Sequence, residues 1–157
     1  MKRNLILLFL LLCTVTAKAQ GVQKNDLIGN WKVSKVEMIK ENKTLMVADE
    51  DTVHFSESFV NSLKEEEKKM TFALMNAMMK LALETKLILS EDGTVIQVNH
   101  DEKEFKGTYV LGKGGKKLTT VFGEKKKEYS SVMVNNQLIL TEEKKDGQMI
   151  LTYDKIK

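Results

Sequence analysis

The sequence predicts a mainly β protein, an eight-stranded antiparallel up-and-down meander barrel with a helical insertion between the first and second strands. Three observations support this fold class. From residue 86 onward, apolar and polar residues alternate in seven short runs, as they do in half-buried strands. Turn-forming glycine and asparagine residues separate these runs. Another such run begins at Trp31, and a segment with a helical period lies between it and the other seven.

The first 19 residues have the three parts of a secretory signal peptide. Lys2 and Arg3 form a basic start, an apolar run extends from Leu5 to Val15, and residues 17–19 read Ala-Lys-Ala, a small-x-small cleavage site. The run has about half of the roughly 20 residues that span a bilayer, so a retained anchor is the weaker alternative. We therefore expect a periplasmic or secreted protein whose mature chain, residues 20–157, is a single domain.

A lipid anchor is a further alternative for the same segment. Cys13 would carry the lipid if the precursor were cleaved just before it. Leu12, however, is bulkier than the small residue that normally precedes such a cysteine. Both alternatives change the location of the protein and leave the predicted fold unchanged.

Removal of the signal peptide balances the charge of the chain. The full sequence has 25 basic and 22 acidic residues, but Lys2, Arg3 and Lys18 leave with the signal, so 22 lysines face 22 acids. Arg3 is the only arginine, and the mature chain therefore lacks guanidinium groups for bidentate phosphate or base contacts. Cys13 is the only cysteine, so disulfides and thiolate chemistry are excluded. We expect no nucleic-acid partner and a fold that is stable by packing alone.

The predicted strands follow one another through short connections. The first contains Trp31, Val33 and the segment from Val36 to Ile39, and Thr44 to Val47 is a candidate for an extra short strand. The seven later strands are predicted at Lys86 to Ser90, Thr94 to Asn99, Glu104 to Leu111, Lys116 to Phe122, Lys126 to Val134, Gln137 to Thr141 and Gln148 to Ile156. Closing eight strands into a barrel removes the exposed sheet edges and leaves an interior that side chains fill or that holds one small ligand.

Three neighbouring strands mix aromatic residues with small or hydroxylated ones on one face. The residues that share this face are Phe105, Gly107, Tyr109 and Leu111, then Leu118, Thr120 and Phe122, then Tyr129, Ser131 and Met133. Such a face leaves space for a ligand, but a filled core with a few hydroxyl groups gives the same pattern. The candidate ligand contacts from these strands are Phe105, Tyr109 and Tyr129.

A helical period runs from about Ser58 to Glu84, within an insertion of about residues 57–85. Ser56 and Ser62 offer N-caps, and Thr71 offers a restart if the helix breaks near Met70. The stretch 70–83, MTFALMNAMMKLAL, is apolar on all but one narrow stripe. This surface is much larger than one barrel rim needs to cover.

Three interpretations of the methionine-rich stretch remain open. It closes the barrel mouth as core, it forms a pliable lid over an apolar ligand, or it makes a homodimer or membrane-surface contact. In the first two interpretations, Phe72, Met75, Met78 and Met79 meet the core or the ligand. Fourteen residues are too few to cross a bilayer, so we expect no transmembrane span in the mature chain.

The segment Leu27-Ile28-Gly29-Asn30-Trp31 resembles the G-x-W motif that opens lipocalins. Together with the meander, it makes the chain similar to bacterial lipocalin-like domain proteins and, more distantly, to fatty-acid-binding proteins, both calycin-type barrels. In the latter the helices also lie between the first and second strands. The resemblance covers about Leu27 to Ile156. It implies that Gly29 and Trp31 are structural, with the indole plugging one end of the barrel.

Two features of the lipocalin pattern are missing from this chain. The later T-D-Y motif is absent, and no arginine is present to stack on Trp31. Lys155 or Lys157 are the only residues placed to substitute for that arginine. The resemblance therefore carries no ligand preference over to this chain.

Histidines and lysine-rich turns are the remaining candidates for chemistry. His54 and His100 each lie close to acidic residues in the sequence, but neither has a second histidine at helical or hairpin spacing. We expect both to be loop residues among solvated charges, with no metal site and no cofactor. Basic turns at 113–117 and 125–127 are expected to be solubilising, with an anionic headgroup or glycan contact as the alternative.

Two function classes fit these observations. The first is an exported binding protein for a small hydrophobic or amphipathic molecule, with affinity from burial at about 25 cal/mol per Å² of apolar surface. The second is a protein-interaction or inhibitor domain with a filled barrel and no small-molecule ligand. We do not expect an enzyme, because no nucleophile, base and orienting group can be assembled from the available residues.

Overall fold

Ten β-strands form one antiparallel sheet in the computed structural model, which describes residues 21–157. The predicted signal peptide and Cys13 lie outside the described residues. The strands are β1 (Gly29–Lys40), β2 (Lys43–Asp49), β3 (Val53–Phe55), β4 (Lys86–Leu89), β5 (Thr94–Val98), β6 (Glu104–Leu111), β7 (Lys117–Phe122), β8 (Lys125–Val134), β9 (Gln137–Lys144) and β10 (Gly147–Ile156). The helices are α1 (Lys24–Leu27), α2 (Glu57–Ser62) and α3 (Glu65–Leu83), with one 3-10 turn at Lys113–Gly115.

Eight of the ten strands close into a barrel. Each strand from β4 to β10 pairs with its neighbour in the sequence, and β1 pairs with β10 on one edge and with β4 on the other. The predicted up-and-down barrel is therefore confirmed. Helices α2 and α3 come between β1 and β4, which are the first and second barrel strands, as predicted.

The additional hairpin, β2 and β3, pairs with the second half of β1. Residues 29–32 of β1 pair with β4, whereas residues 35–40 pair with β2. The register of β1 against β10 shifts between Val33 and Lys35, and this β-bulge lies where the partner on the other edge changes. The predicted extra strand, Thr44 to Val47, is part of β2.

The helical insertion consists of two helices and not of one continuous helix. Ser56 caps α2 as predicted, since its hydroxyl accepts a hydrogen bond from the Phe59 amide at 3.3 Å. The predicted cap at Ser62 is wrong, because this hydroxyl donates back to the Phe59 carbonyl at 2.7 Å. Leu63 then adopts an extended conformation, which separates the two helices. The second helix continues through Thr71 without a restart.

One hydrophobic core lies inside the barrel and continues beneath α3, which packs on β1 and β2. The largest side chains with less than 2% exposure are Trp31, Leu27, Met46, Leu89, Leu118, Leu138, Leu140, Val22, Val33, Val36 and Val95. No helix within residues 21–157 is long and apolar enough to cross a membrane.

Candidate binding site

One end of the barrel is closed around Trp31. The indole is 1% exposed, and its Nε1 donates a hydrogen bond to the Leu27 carbonyl at 2.8 Å. The Lys155 ammonium lies 5.2 Å from the centroid of the indole ring and donates to the Asp26 carbonyl at 3.3 Å. Of the two lysines considered for this role, Lys155 is therefore the one that lies over the tryptophan, in a cation–π contact.

Close backbone approaches complete this closed end. Gly29 has a φ of 138°, and a Cβ added to it would lie 2.7 Å from Lys155 Cε. Gly115 has a φ of 66°, and its carbonyl accepts hydrogen bonds from the Val22 amide at 2.9 Å and the Ser131 hydroxyl at 3.1 Å. A Cβ at Gly115 would lie 1.9 Å from the Val22 carbonyl oxygen. Side chains and backbone together seal this end.

At the opposite end of the barrel, β8 and β9 separate. The two strands pair from Val134 opposite Gln137 to Ser130 opposite Thr141, and the pairing stops there. Beyond that pair, β8 extends to Lys125 and β9 to Lys144 without pairing to each other in the described sheet. A groove of about 670 Å³ lies at this separation, lined by Lys116, Lys117, Lys126, Lys127, Glu128, Tyr129, Ser130, Thr141, Glu142 and Glu143.

The outer rim of the groove carries paired charges. Glu128 contacts Lys117 at 2.5 Å and Lys126 at 2.8 Å. Hydrogen bonds and the charges of these two lysines lower the pKa of Glu128 to about 2, although its side chain is solvent-accessible. The rim is therefore a network of ion pairs and not a bare basic patch.

A buried carboxylate lies on the inner side of the same groove. Leu138 and Leu140 face the core, and Glu142 continues their alternation on the same face of β9 with 9% exposure. Its Oε1 accepts from the Lys144 ammonium at 2.6 Å, and its Oε2 lies 3.5 Å from the Lys127 ammonium. The sequence thus places a carboxylate at the inner wall of a barrel whose other inward residues are mostly apolar.

Two buried side-chain oxygens within residues 21–157 have no hydrogen-bond partner, Glu142 Oε2 and Thr120 Oγ1. Lys127 balances the charge of Glu142 but does not satisfy the hydrogen-bond geometry of Oε2. Thr120 is 3% exposed, and it lies opposite Lys127 in the register of β7 and β8. Leaving a buried polar atom unpaired costs about 1–3 kcal/mol. Of the two residues, Glu142 lines the groove, whereas Thr120 lies outside its lining.

Two tyrosines near Glu142 keep their phenol protons. Burial, and secondly the Glu142 carboxylate, raises the pKa of Tyr129 to about 12. The Thr120 hydroxyl lies near the Tyr129 phenol and opposes this rise. Burial also raises the pKa of Tyr153, with smaller contributions from Tyr129 and Glu142. Both phenols are thus neutral hydrogen-bonding groups at physiological pH.

Three of the predicted site residues lie on the inner face of α3. The Phe72 ring packs against Phe55 of β3 in a tilted arrangement, with 4.8 Å between the ring centroids. Met79 is 4% exposed, and Met75 is half-buried against the core. These side chains cover the β1–β2 side of the barrel, whereas the groove opens between β8 and β9.

The other four predicted site residues are dispersed. Met78 is 50% exposed on the outer face of α3, and Phe105 is 47% exposed at the start of β6. Tyr109 is buried at the closed end, where its hydroxyl donates to the Ser90 carbonyl at 2.7 Å. Tyr129 is the only predicted residue that lines the groove. The structure therefore does not bring the predicted set into one cluster, and their contact with a ligand stays a prediction.

The sequence analysis missed Glu142 because it ended the strand at Thr141. The run Glu-Glu-Lys-Lys after that residue is typical of a solvated turn, but β9 continues to Lys144. A signal was present, because the alternation of Leu138 and Leu140 places position 142 on the same inward face.

The histidines differ in their surroundings. His54 lies in β3, opposite Val47, so its assignment to a loop is wrong, whereas His100 lies in the turn between β5 and β6. Both are exposed. Within residues 21–157, no group of three histidine, cysteine, aspartate or glutamate side chains is arranged to hold a metal ion.

The architecture defines a class: a closed, up-and-down, eight-stranded antiparallel β-barrel, compatible with a calycin-like fold. No protein family, no curated protein and no solved structure matches the chain.

Proposed function

We propose that this chain is an exported, lipocalin-like binding protein for a small hydrophobic or amphipathic molecule. The observation that carries the proposal is the groove between β8 and β9, because it reaches from the surface to the inward-facing Tyr129 and Glu142. Its volume, about 670 Å³, lies in the range of small-molecule sites. Export rests on the predicted signal peptide.

Adaptable side chains in the interior support the same function. Six methionines belong to the core or pack against it: Met38, Met46, Met75, Met79, Met133 and Met149. Methionine is unbranched and polarisable, so it repacks around varied apolar shapes at low cost. An apolar tail that entered the barrel would therefore meet side chains able to rearrange around it.

The lipocalin-like assignment is supported by the closed end. Gly29, Trp31 and Lys155 form a contact set in which a lysine replaces the arginine of lipocalins. This set concerns the scaffold and does not specify a ligand.

Native mass spectrometry tests the proposed function without assuming a ligand. The full chain is expressed with its signal sequence, delipidated and exposed to an extract of the producing cells. We expect a small-molecule adduct that persists under native conditions and is lost on denaturation. A protein that stays free of adducts and does not take up the apolar dye Nile red would contradict the proposal.

A protein-interaction role is the second candidate, and the outer face of α3 favours it. Met70, Leu74, Met78 and Leu81 form one apolar stripe with exposures of 75, 60, 50 and 44%. We assign this stripe to a second copy of the chain. Antiparallel packing of two α3 helices would bring the acidic first turn, residues 65–67, beside Lys80 in the last turn of the other helix.

Sedimentation velocity over a range of concentrations tests this second role. A concentration-dependent dimer that becomes monomeric in Leu74→Lys would support it. Ala73→Lys, at an exposed position of the same helix outside the stripe, is the matched control. A wild-type monomer at all concentrations would contradict it.

A further inference from the structure

The edge of β8 that borders the groove indicates a further kind of partner. We propose that this open edge, residues 125–129, binds an acidic, extended segment of another protein as an added β-strand. The inference goes beyond the proposed ligand binding, because it concerns the main chain at the rim of the groove and not the interior of the barrel.

The register of the sheet shows which main-chain groups of β8 point towards β9. Residues along an antiparallel pair alternate, so that every second residue exchanges hydrogen bonds with one neighbouring strand and the residues between them face the other strand. Val134 and Gln137 enclose a two-residue turn and start the pairing of β8 with β9, so the even-numbered residues of β8 face β9. The Ser131 amide fits this alternation, because it donates towards β7, to the Lys116 carbonyl at 2.9 Å.

Lys126 and Glu128 therefore direct their main-chain N–H and C=O groups towards the groove. In the described part of the chain, the pairing of β8 with β9 ends at Ser130, although β8 continues to Lys125. On its other side, β8 pairs with β7 along the whole segment, which holds it extended. Residues 126–129 also line the groove, so the edge is accessible. An accessible edge of an extended strand is a template on which another chain adds as a strand.

Charge favours an acidic strand as the occupant. Lys125, Lys126 and Lys127 are consecutive at the start of the open edge, and all three are exposed. Lys116 and Lys117 line the same groove, so two basic turns that are separate in the sequence meet at this edge. Glutamate or aspartate side chains of an added strand would lie beside these ammonium groups, and opposite charges on neighbouring strands stabilise their pairing.

Glutamates in the groove reduce this attraction without removing it. Glu128 already pairs with Lys117 and Lys126. Glu142 pairs in the same way with Lys127. An added acidic strand would share these lysines, so main-chain hydrogen bonds must supply part of the affinity. This requirement distinguishes an added strand from a diffuse attraction between charges, because only the strand depends on the main chain of β8.

A second copy of the chain is disfavoured as the occupant. Two β8 edges related by a two-fold axis would pair antiparallel, with the residue at the centre of the pairing opposite its own copy. Residues 125–128 all carry charge, so each of these centres would place like charges opposite each other, which destabilises a sheet. The charged edge thus resists self-association and stays open to a strand of opposite charge.

Fluorescence anisotropy with a labelled peptide of alternating threonine and glutamate tests this inference on the purified protein. Threonine favours strands, and glutamate supplies the charge. We expect saturable binding that slows amide exchange at Lys126 and Glu128, measured residue by residue by NMR. The amides of Lys127 and Tyr129 face β7 and should not change. A peptide of alternating threonine and lysine should bind about tenfold more weakly or not at all.

Lys126→Pro and Lys126→Ala are the matched pair of variants. Both remove the same charge, but only proline removes the main-chain N–H that faces the groove. Proline is tolerated at such a position, because this N–H takes no part in the pairing with β7. We expect Lys126→Pro to bind the acidic peptide at least about fivefold more weakly than Lys126→Ala, the effect of losing one hydrogen bond. If Lys126→Pro does not fold by circular dichroism, Glu128→Pro and Glu128→Ala replace the pair, with the same expected ratio.

The outcomes separate this inference from the proposed ligand binding. Equal affinity of Lys126→Pro and Lys126→Ala, exchange at Lys126 and Glu128 that the acidic peptide does not slow, or no binding of that peptide by the wild type would each overturn the inference. Nile red uptake by the same preparation tests the ligand-binding function independently. A barrel that takes up the dye but not the peptide keeps the first function and loses the added strand, and the reverse result keeps only the added strand.

Discussion

The two ends of the barrel are built in opposite ways. At the closed end, Trp31 is hydrogen-bonded to Leu27 and covered by Lys155. At the open end, the β8–β9 ladder breaks, and Thr120 and Glu142 keep oxygens without partners. The comparison shows that one continuous sheet can close one end with tightly packed, hydrogen-bonded groups and leave a groove lined by charged and polar side chains at the other.

The types of side chain differ in the same way. The closed end uses one large aromatic ring and glycines in backbone conformations that few other residues adopt. Towards the open end, Met38 and Met149 pack against the core, and methionine side chains tolerate rearrangement. We therefore expect substitutions at the closed end to act on stability and those at the open end to act on binding.

The largest expected effect is from Trp31→Ala. Removing a buried tryptophan typically costs about 3–5 kcal/mol, and here the change also leaves the Leu27 carbonyl without its donor. For a chain of this size we expect the melting temperature to fall by about 10 °C or more. Differential scanning calorimetry measures it. A variant of normal stability that had lost ligand affinity would place Trp31 in the binding site and contradict the assignment of the two ends.

Met79→Ala is expected to have the next largest effect. Met79 is 4% exposed on the inner face of α3, and truncation of a buried methionine costs about 2–5 kcal/mol. Met78→Ala, one position away on the outer face, should change the stability by about 0.5 kcal/mol or less. Urea unfolding of both variants provides the comparison. Equal costs would mean that the outer stripe is covered in solution, as a dimer would cover it.

Gly29→Ala should cost about 1–3 kcal/mol, because its φ of 138° is strained for any residue with a Cβ. Part of the cost is a collision with Lys155. The double variant with Lys155→Ala should therefore lose less stability than the sum of the two single variants. If the free-energy costs of the two single variants simply add up in the double variant, Lys155 does not lie over Gly29.

The smallest effect concerns the tyrosines at high pH. Burial raises the pKa of Tyr109, Tyr129 and Tyr153 above the ordinary value of about 10, to about 12 for Tyr129. Because a raised pKa favours the protonated folded state, this stability is complete below pH 10 and is lost as the pH rises towards 12. Absorbance at 295 nm should show little phenolate in the native protein at pH 10.5. A titration midpoint near 10 would show that these rings are solvated.

Much of the fold follows from local patterns in the sequence. The strands could be predicted because period-two alternation and turn residues act over a few positions, and Asn135 and Asn136 do adopt the left-handed conformations of a tight hairpin. The break between α2 and α3 could not be predicted in this way. The Ser62 hydroxyl donates a hydrogen bond back to the Phe59 carbonyl and does not cap the next helix.

The candidate site was harder to predict than the fold. Tyr129 was found because it lies on an aromatic inward face, but Glu142 was hidden in a charged run that resembles a turn. Glu142 lines the groove because β8 and β9 separate there. This separation depends on the packing of the whole barrel and leaves no local pattern in the sequence. Met78 and Met79 are adjacent in a nearly uniform apolar stretch, so only the helix orientation shows which one is buried.

Hydrogen–deuterium exchange, with and without saturating Nile red, tests most directly whether the open end is the binding end. We predict that Nile red slows exchange in the parts of β8 and β9 that do not pair with each other, residues 125–129 and 142–144, because these amides flank the groove. The closed end, residues 21–31, should show no change. Protection confined to the closed end or to α3, with residues 125–129 and 142–144 unaffected, would contradict the account.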